Sequence, residues 1–120
     1  RAWKQVETLK DATAHGEMLA ITQAESAAGD WRLTDCELFV TKEPCPMCAG
    51  AIVHARLRRV IFGCRDGKAG AAGSLLNILQ MPELNHRCEV RGDVKADECA
   101  AILKEFFLDR RNQTTNMQSP

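Results

Sequence analysis

Helix-favouring and strand-favouring segments alternate along the 120 residues of this chain, and that alternation limits the folds it can adopt. Met18, Ile21 and Ala24 recur at helical spacing, whereas residues 36–41 are rich in strand formers. In chain order we predict helix 14–28, strand 36–41, helix 46–56, strand 59–63, helix 74–80, strand 88–91 and helix 95–111. A sheet covered by helices on both faces follows, which is a three-layer α/β/α sandwich.

Length and composition indicate a single domain. Hydrophobic residues make up 45% of the chain, and a chain of this size buries enough surface to need no disulfide framework. No apolar run approaches the roughly 18 residues that span a membrane, so we expect a soluble protein. We assign residues 1–111 to the domain and residues 112–120 to a flexible tail. Because the chain opens without methionine or a secretion signal, we expect the start of the natural chain to be missing.

Charge is distributed unevenly although 16 basic side chains balance 16 acidic ones. Residues 1–53 carry five Lys/Arg against eight Asp/Glu, and residues 54–120 carry eleven against eight. Composition alone favours a solvated face, and a surface that attracts phosphates is the other interpretation. The basic side chains of the second half form two groups, one of Arg56, Arg58, Arg59, Arg65 and Lys68 and a smaller one of Arg110 and Arg111.

The six cysteines are mostly scattered. Only Cys45 and Cys48 have the two-residue spacing that metal sites and redox pairs use. In a chain without a secretion signal, isolated cysteines usually act as small buried hydrophobic residues, and a reduced cytoplasmic compartment follows. The cysteines that we interpret in this way are Cys36, Cys64, Cys88 and Cys99.

The residues that can carry chemistry fall in two short motifs, an H-x-E at residues 15–17 and a P-C-x-x-C at residues 44–48. Together they match the signature of zinc-dependent deaminases. Zn²⁺ prefers four tetrahedral partners, and a hydrolytic site uses three protein groups so that the fourth position can hold water. His15, Cys45 and Cys48 would be the three protein ligands of such a site. Each motif lies at a predicted helix start, where the partial positive charge also favours thiolate.

Glu17 is the candidate proton carrier. Two cysteinates on a dication leave the metal centre neutral overall, so its water is polarised less than at an all-histidine site and needs a base. From the first turn of its helix, the Glu17 carboxylate can reach this water rather than the ion. It would take the proton of the attacking water and pass it to the ring nitrogen and the departing ammonia.

Each motif also has a structural interpretation. His15 can be an ordinary helix-start histidine, and Glu17 can be a surface glutamate that the helix dipole favours. Cys45 and Cys48 can form a redox pair or half of a structural zinc knuckle. The occurrence of both motifs at helix starts in one short chain favours the catalytic site. A structural zinc site completed by a spare cysteine is the main non-enzymatic alternative.

Four segments of the chain resemble the bacterial tRNA-specific adenosine deaminases of the cytidine deaminase-like superfamily. The zinc motifs are common to the superfamily, whereas the glycine-alanine loop, the Asn85-His86 pair and the pairs Phe106-Phe107 and Arg110-Arg111 point to the tRNA enzymes. The resemblance extends from about residue 11 to residue 111. The segments that carry it are residues 13–21, 43–52, 68–75 and 84–86.

The resemblance implies hydrolysis of the wobble adenosine in a tRNA anticodon stem-loop to inosine, with release of ammonia, by a homodimer that holds one Zn²⁺ per chain. It makes His15, Cys45 and Cys48 the zinc ligands and Glu17 the proton shuttle. Asn85 and His86 can equally serve turn formation and packing, and the two arginines can be ordinary charges at a helix end. The residues that the resemblance places along the substrate are Gly16, Asp66, Lys68, Asn85, Phe107, Arg110 and Arg111.

The chain departs from the family pattern in two places. Gly16 stands where the family usually has alanine, which lowers helix propensity by about 1 kcal/mol but keeps the backbone donor that would face the base. The N-terminal helix and strand hairpin of the family are not found before Trp3. We therefore expect a mixed central sheet that lacks these elements and one wall of the pocket.

Two other functions share the same metal chemistry. A deaminase of free cytidine, deoxycytidylate or guanine would have the zinc site without an RNA-binding surface. An inactive zinc-stabilised fragment would have a site held by four protein ligands rather than by three and water.

Overall fold

The structure is a computed structural model that describes the backbone of residues 1–118 and the side chains of residues 1–106 and 108. Helices and strands alternate along it as the sequence predicts, and a single 3₁₀ turn, Ile78–Gln80, precedes the last strand. The labelled elements are α1 (Val6–Leu9), α2 (Gly16–Ala28), β1 (Glu37–Lys42), α3 (Pro46–His54), β2 (Arg59–Cys64), β3 (Glu89–Arg91) and α4 (Ala96–Gln118).

The described sheet has three strands in the order β1-β2-β3, and both pairings are parallel. Val60 of β2 lies beside Leu38 on one strand and Val90 on the other. The sheet therefore differs from the mixed sheet that we expected. A mixed sheet needs an antiparallel strand, and none of the three described strands runs in that direction.

Helices cover both faces of the sheet. Val60 and Phe62 are almost completely buried and join one core cluster with Ile21 of α2 and Ile52 of α3. Successive residues of a strand point to opposite faces, and the next residue, Gly63, faces α4. The predicted three-layer α/β/α architecture is confirmed.

Close contact between α4 and the sheet depends on Gly63. A Cβ atom at this residue would lie 2.3 Å from Cys99 Sγ and 2.6 Å from the carbonyl oxygen of Thr41. Both distances are far below a normal van der Waals contact, so only glycine lets the helix lie this close to β1 and β2.

The predicted helix 74–80 is wrong in extent, because only the 3₁₀ turn forms there. The amides of Leu75 and Leu76 both bond to the carbonyl oxygen of Gly70, and the amide of Ser74 bonds to the Glu43 carboxylate. Gly73 has a φ of 129°, which no helix contains. A helix over residues 74–80 would need the Ile78 amide to bond to the carbonyl oxygen of Ser74. That amide instead donates to the carbonyl oxygen of Ala71 at 2.9 Å, so the first helical bond does not form.

The two ends of the chain differ from the predicted helix boundaries. The single turn α1 lies in the opening segment, and Lys10 ends it in a left-handed conformation with a φ of 52°. Helix α4 runs past the predicted end at Arg111 to Gln118, because Pro120 is the first residue after Arg111 that breaks helices. The flexibility predicted for residues 112–120 stays a prediction, since their side chains and all of residues 119 and 120 lie outside the described residues.

Within residues 1–118, none of the helices combines the length and the apolar character that crossing a membrane requires.

Two glycine substitutions test the packing of α4. Gly63→Ala is expected to lower the free energy of unfolding by about 2 kcal/mol, because the new methyl group overlaps Cys99 and Thr41. Gly50→Ala is the matched control. No atom lies within 4 Å of its added Cβ, and alanine in a helix is expected to stabilise the protein by up to about 1 kcal/mol. Denaturant unfolding of both variants checks the difference, and equal stabilities would contradict the packing of α4 on Gly63.

Candidate metal centre and active site

Two helix starts converge at the site. His15 is the N-cap of α2 and Cys45 is the N-cap of α3, and each has an extended backbone just before its helix begins. Pro46 occupies the first turn of α3, where its missing N–H would have no helical partner. Cys48 follows one turn later and is fully buried. The P-C-x-x-C motif therefore places two thiols at one helix N-terminus.

The imidazole and both thiols form one compact cluster. His15 Nδ1 lies 3.6 Å from Cys45 Sγ and 3.5 Å from Cys48 Sγ. One donor atom from each residue lies within 4.8 Å of the other two. Among the described side chains, no fourth His, Cys, Asp or Glu joins this group. The geometry thus offers a metal ion three protein ligands, and none of the described spare cysteines completes a four-ligand structural site.

Glu17 lies beside the cluster. Burial, followed by the charges of Glu17 and Cys45 and hydrogen bonding with both, raises the pKa of the Cys48 thiol far above its ordinary value. Cys48 is therefore a neutral thiol at pH 7 when no metal is bound. The same interactions indicate that the Glu17 side chain lies near Cys48, one of the candidate ligands.

Gly16 lies between the two motif residues, under the opening segment of the chain. A Cβ atom there would lie 3.3 Å from Trp3 Cα and 3.5 Å from the carbonyl oxygen of Ala2. This close approach gives a physical reason for glycine at the position where the family usually has alanine.

Asp66 and Lys68, two predicted substrate contacts, lie in the loop after β2. The Asp66 carboxylate accepts bonds from the amides of Lys68 and Ala69 and pairs with Lys42 at 3.2 Å. Its side chain is only 14% exposed. Lys68 is exposed to solvent. The structure thus uses Asp66 to shape this loop and leaves the Lys68 side chain on the surface.

The remaining predicted contacts lie farther along the chain. Asn85 is exposed, whereas His86 Nε2 lies 2.6 Å from the carbonyl oxygen of Leu57 and so takes part in packing. The backbone of Phe107, Arg110 and Arg111 belongs to α4, but their side chains lie outside the described residues.

Glu43 is the residue near the site that sequence reasoning missed. It is 3% exposed, although glutamate is seldom buried. Its carboxylate accepts hydrogen bonds from Asp66, Ala72 and Ser74. Its position directly before Pro44, in the P-C-x-x-C motif, was the one sequence feature that could have pointed to it. Its hydrogen-bond partners lie more than 20 residues away, and no local pattern predicts them.

Proteins that are similar to this chain in sequence are deaminases. A family model described as MafB19-like deaminase matches residues 3–111. The tRNA-specific adenosine deaminase of Bacillus subtilis (strain 168) is 46% identical over 113 residues, which cover 94% of this chain and 70% of the relative. The enzyme of that name from Haemophilus influenzae is 40% identical over 111 residues, which cover 92% and 64%.

Solved structures of deaminases also have folds similar to that of this chain. One structure, from a study of A-to-I editing by tRNA:A34 deaminases at the wobble position of transfer RNA, has a TM-score of 0.79 and 39% identity. The match covers 83% of this chain and 72% of that chain. A guanine deaminase from Nitrosomonas europaea has a TM-score of 0.69 over 88% of this chain and 63% of its own, but its 23% identity shows the fold alone.

An α/β/α fold with a His/Cys/Cys cluster at two helix starts defines a deaminase-type protein. The chain matches the MafB19-like deaminase family and belongs to the family of tRNA-specific adenosine deaminases. The family resemblance indicated by the motifs is confirmed.

The protonated thiol of Cys48 predicts how metal affinity depends on pH. A metal ion binds thiolate, so binding must displace the proton that Cys48 carries, and the apparent affinity falls as pH falls. We expect a loss of about tenfold per pH unit for each proton released, measured by chelator competition between about pH 8 and pH 6. Cys36→Ala, away from the cluster, is expected to keep this dependence. An affinity that does not change with pH would contradict the protonated thiol.

Proposed function

We propose that His15, Cys45 and Cys48 hold a Zn²⁺ ion. One imidazole nitrogen and two thiol sulfurs form a donor set that suits zinc, and two cysteinates balance its charge in a half-buried site. When bound, a zinc ion with three protein ligands acts as a Lewis acid and lowers the pKa of water. The N-termini of α2 and α3 add partial positive charge around the thiolates.

We propose that Glu17 moves the proton during hydrolytic deamination. Its carboxylate accepts a proton from the attacking water and donates it to the ring nitrogen of the base. A further proton transfer to the amine lets ammonia leave, so that water and adenosine give inosine and ammonia. The proximity of Glu17 to Cys48 supports this role, because a carboxylate near a zinc ligand would also lie near water bound to the zinc.

We propose the wobble adenosine of a tRNA anticodon as the substrate. The observation that carries this proposal is the three-donor cluster beside Glu17 in a chain of the tRNA-specific adenosine deaminase family. The solved relative with a TM-score of 0.79 is described as acting at the wobble position. A single-stranded anticodon loop suits such a site, since its bases can turn outward into a pocket.

The same proposal includes residues that would contact the tRNA outside the metal site, and the assembly of two chains into a dimer. The exposed cation of Lys68 would lie against a phosphate, and exposed Asn85 would contact the loop. Gly16 would present its backbone to the base, and Asp66 would hold the Lys68 loop in shape. Phe107, Arg110 and Arg111 would extend the RNA path along α4. We further propose that the protein is a cytoplasmic homodimer.

Removing the Glu17 carboxylate separates catalysis from metal binding. Glu17→Ala is expected to keep one zinc per chain and to lower kcat by about 10²–10⁴-fold, because proton transfer is lost while the three ligands stay. Zinc analysis and inosine formation are measured on the same preparation. Glu25→Ala, two turns farther along α2, serves as the control and is expected to retain turnover. Unchanged turnover in Glu17→Ala would remove Glu17 from the mechanism.

A direct comparison of substrates tests the reaction. We expect the zinc-loaded protein to form inosine in a tRNA that carries an adenosine at the wobble position, and to leave free adenosine, cytidine, deoxycytidylate and guanine unchanged. Nucleoside analysis by mass spectrometry measures each product. Deamination of a free base or nucleoside without the tRNA product would favour a small-molecule deaminase, and no product from any substrate would favour an inactive fragment.

A further inference from the structure

Glu43 joins two segments that are distant in sequence. It follows β1 directly and stands two residues before Cys45. Its Oε1 accepts a hydrogen bond from the Asp66 amide at 3.1 Å and another from the Ser74 hydroxyl. Its Oε2 accepts bonds from the amides of Ala72 at 2.9 Å and Ser74 at 3.1 Å. One carboxylate therefore holds both ends of residues 66–74, which we call the 66–74 loop.

The loop is fitted around this carboxylate. A Cβ atom at Gly70 would lie 2.5 Å from both the carbonyl oxygen of Asp66 and Glu43 Cδ, so any larger residue would crowd the loop backbone as well as the carboxylate. The amide of Ala71 also donates to the carbonyl oxygen of Pro44 at 2.8 Å. The 66–74 loop thus contacts the residue before Cys45 through its backbone as well as through Glu43.

The hydrogen bonds hold Glu43 in its charged form. Burial alone would raise the pKa of this carboxyl, but the bonds from Ser74, Asp66 and Ala72 outweigh burial and lower its pKa. Each of the four bonds comes from an N–H or O–H group, and no salt bridge is found for Glu43 within the described residues. Four donors around one side chain need two acceptor oxygens. A carboxylate has two, whereas the amide of glutamine has one oxygen and one NH₂ group that can only donate.

We infer that Glu43 is a positioning residue that fixes the 66–74 loop against Pro44 and so sets where Lys68 lies relative to the metal site. The contact with RNA through Lys68 rests on the proposed function, whereas the attachment of the loop does not. Glu43 acts through the loop and does not itself touch the substrate. A contribution to fold stability alone would leave substrate affinity unchanged in the folded variant.

Glu43→Gln tests the attachment directly, since glutamine keeps the size of the side chain. The NH₂ group of glutamine cannot accept hydrogen bonds, so some of the backbone N–H groups around it would lose their partner. We therefore expect the backbone amides of Asp66, Ala72 and Ser74 to exchange hydrogen at least about tenfold faster. Glu89→Gln is the matched control. Glu89 is an exposed carboxylate that pairs with Arg59 at the opposite end of β2, and its loss should not change exchange in the loop.

Kinetics on the zinc-loaded proteins test the positioning. Below its unfolding temperature, Glu43→Gln is expected to keep one zinc per chain, to raise KM for the tRNA about tenfold and to change kcat by less than about threefold. Ser74→Ala removes only the hydroxyl bond and should raise KM by about threefold. Gly70→Ala should also raise KM although Glu43 is still present, because its methyl group crowds both the Glu43 carboxylate and the carbonyl oxygen of Asp66 in the loop.

The outcomes separate this inference from the proposed function. Faster exchange in the loop together with a raised KM supports it. Unchanged exchange in both Glu43→Gln and Ser74→Ala would overturn it, as would a lower unfolding temperature with unchanged KM. If the native protein forms no inosine in tRNA, the proposed function fails, and the exchange rates alone then decide whether Glu43 holds the loop. Should Glu43→Gln fail to fold, Ser74→Ala carries the same tests.

Discussion

The site depends on the convergence of two helix N-termini on one point. His15 Nδ1 lies within 3.6 Å of both thiols, although 30 residues separate it from Cys45 along the chain. Neither helix produces this contact alone. It requires α2 and α3 to pack on the same face of the sheet, where Ile21, Ile52 and Val60 share one core cluster. The hydrophobic core therefore fixes the spacing of the three donor atoms, and the local motifs determine which atoms meet.

The parallel sheet explains why the polar groups of the site lie at one edge. Cys45 follows the carboxyl end of β1, and the 66–74 loop follows the carboxyl end of the neighbouring strand β2. Parallel strands bring their carboxyl ends to the same edge, where open α/β sheets bind ligands. Glu43 bridges the two segments across that edge. A buried charge is costly unless it is fully hydrogen-bonded, and the four bonds to Glu43 meet that condition while they order the loop.

The sequence predicted what local patterns and motifs encode. The α/β/α layers and the family are confirmed, because hydrophobic periodicity and the two motifs specify them. The helix at residues 74–80 was wrong, since the Ile78 amide, which would make its first helical bond, donates to the carbonyl oxygen of Ala71. The parallel sheet and the role of Glu43 in the loop also escaped prediction, because both depend on contacts between segments far apart in sequence. The catalytic and RNA-contacting roles assigned to individual residues stay predictions.

X-ray absorption spectroscopy at the zinc edge tests the central claim most directly, because it counts the ligands of the bound ion. We predict two sulfur ligands and two lighter nitrogen or oxygen ligands, one from His15 and one from a solvent molecule. Replacement of His15 by alanine should change only the lighter shell, and replacement of Cys48 by alanine should remove one sulfur. A spectrum with three or four sulfur ligands, or with no sulfur at all, would contradict an open metal site at the start of α2 and α3.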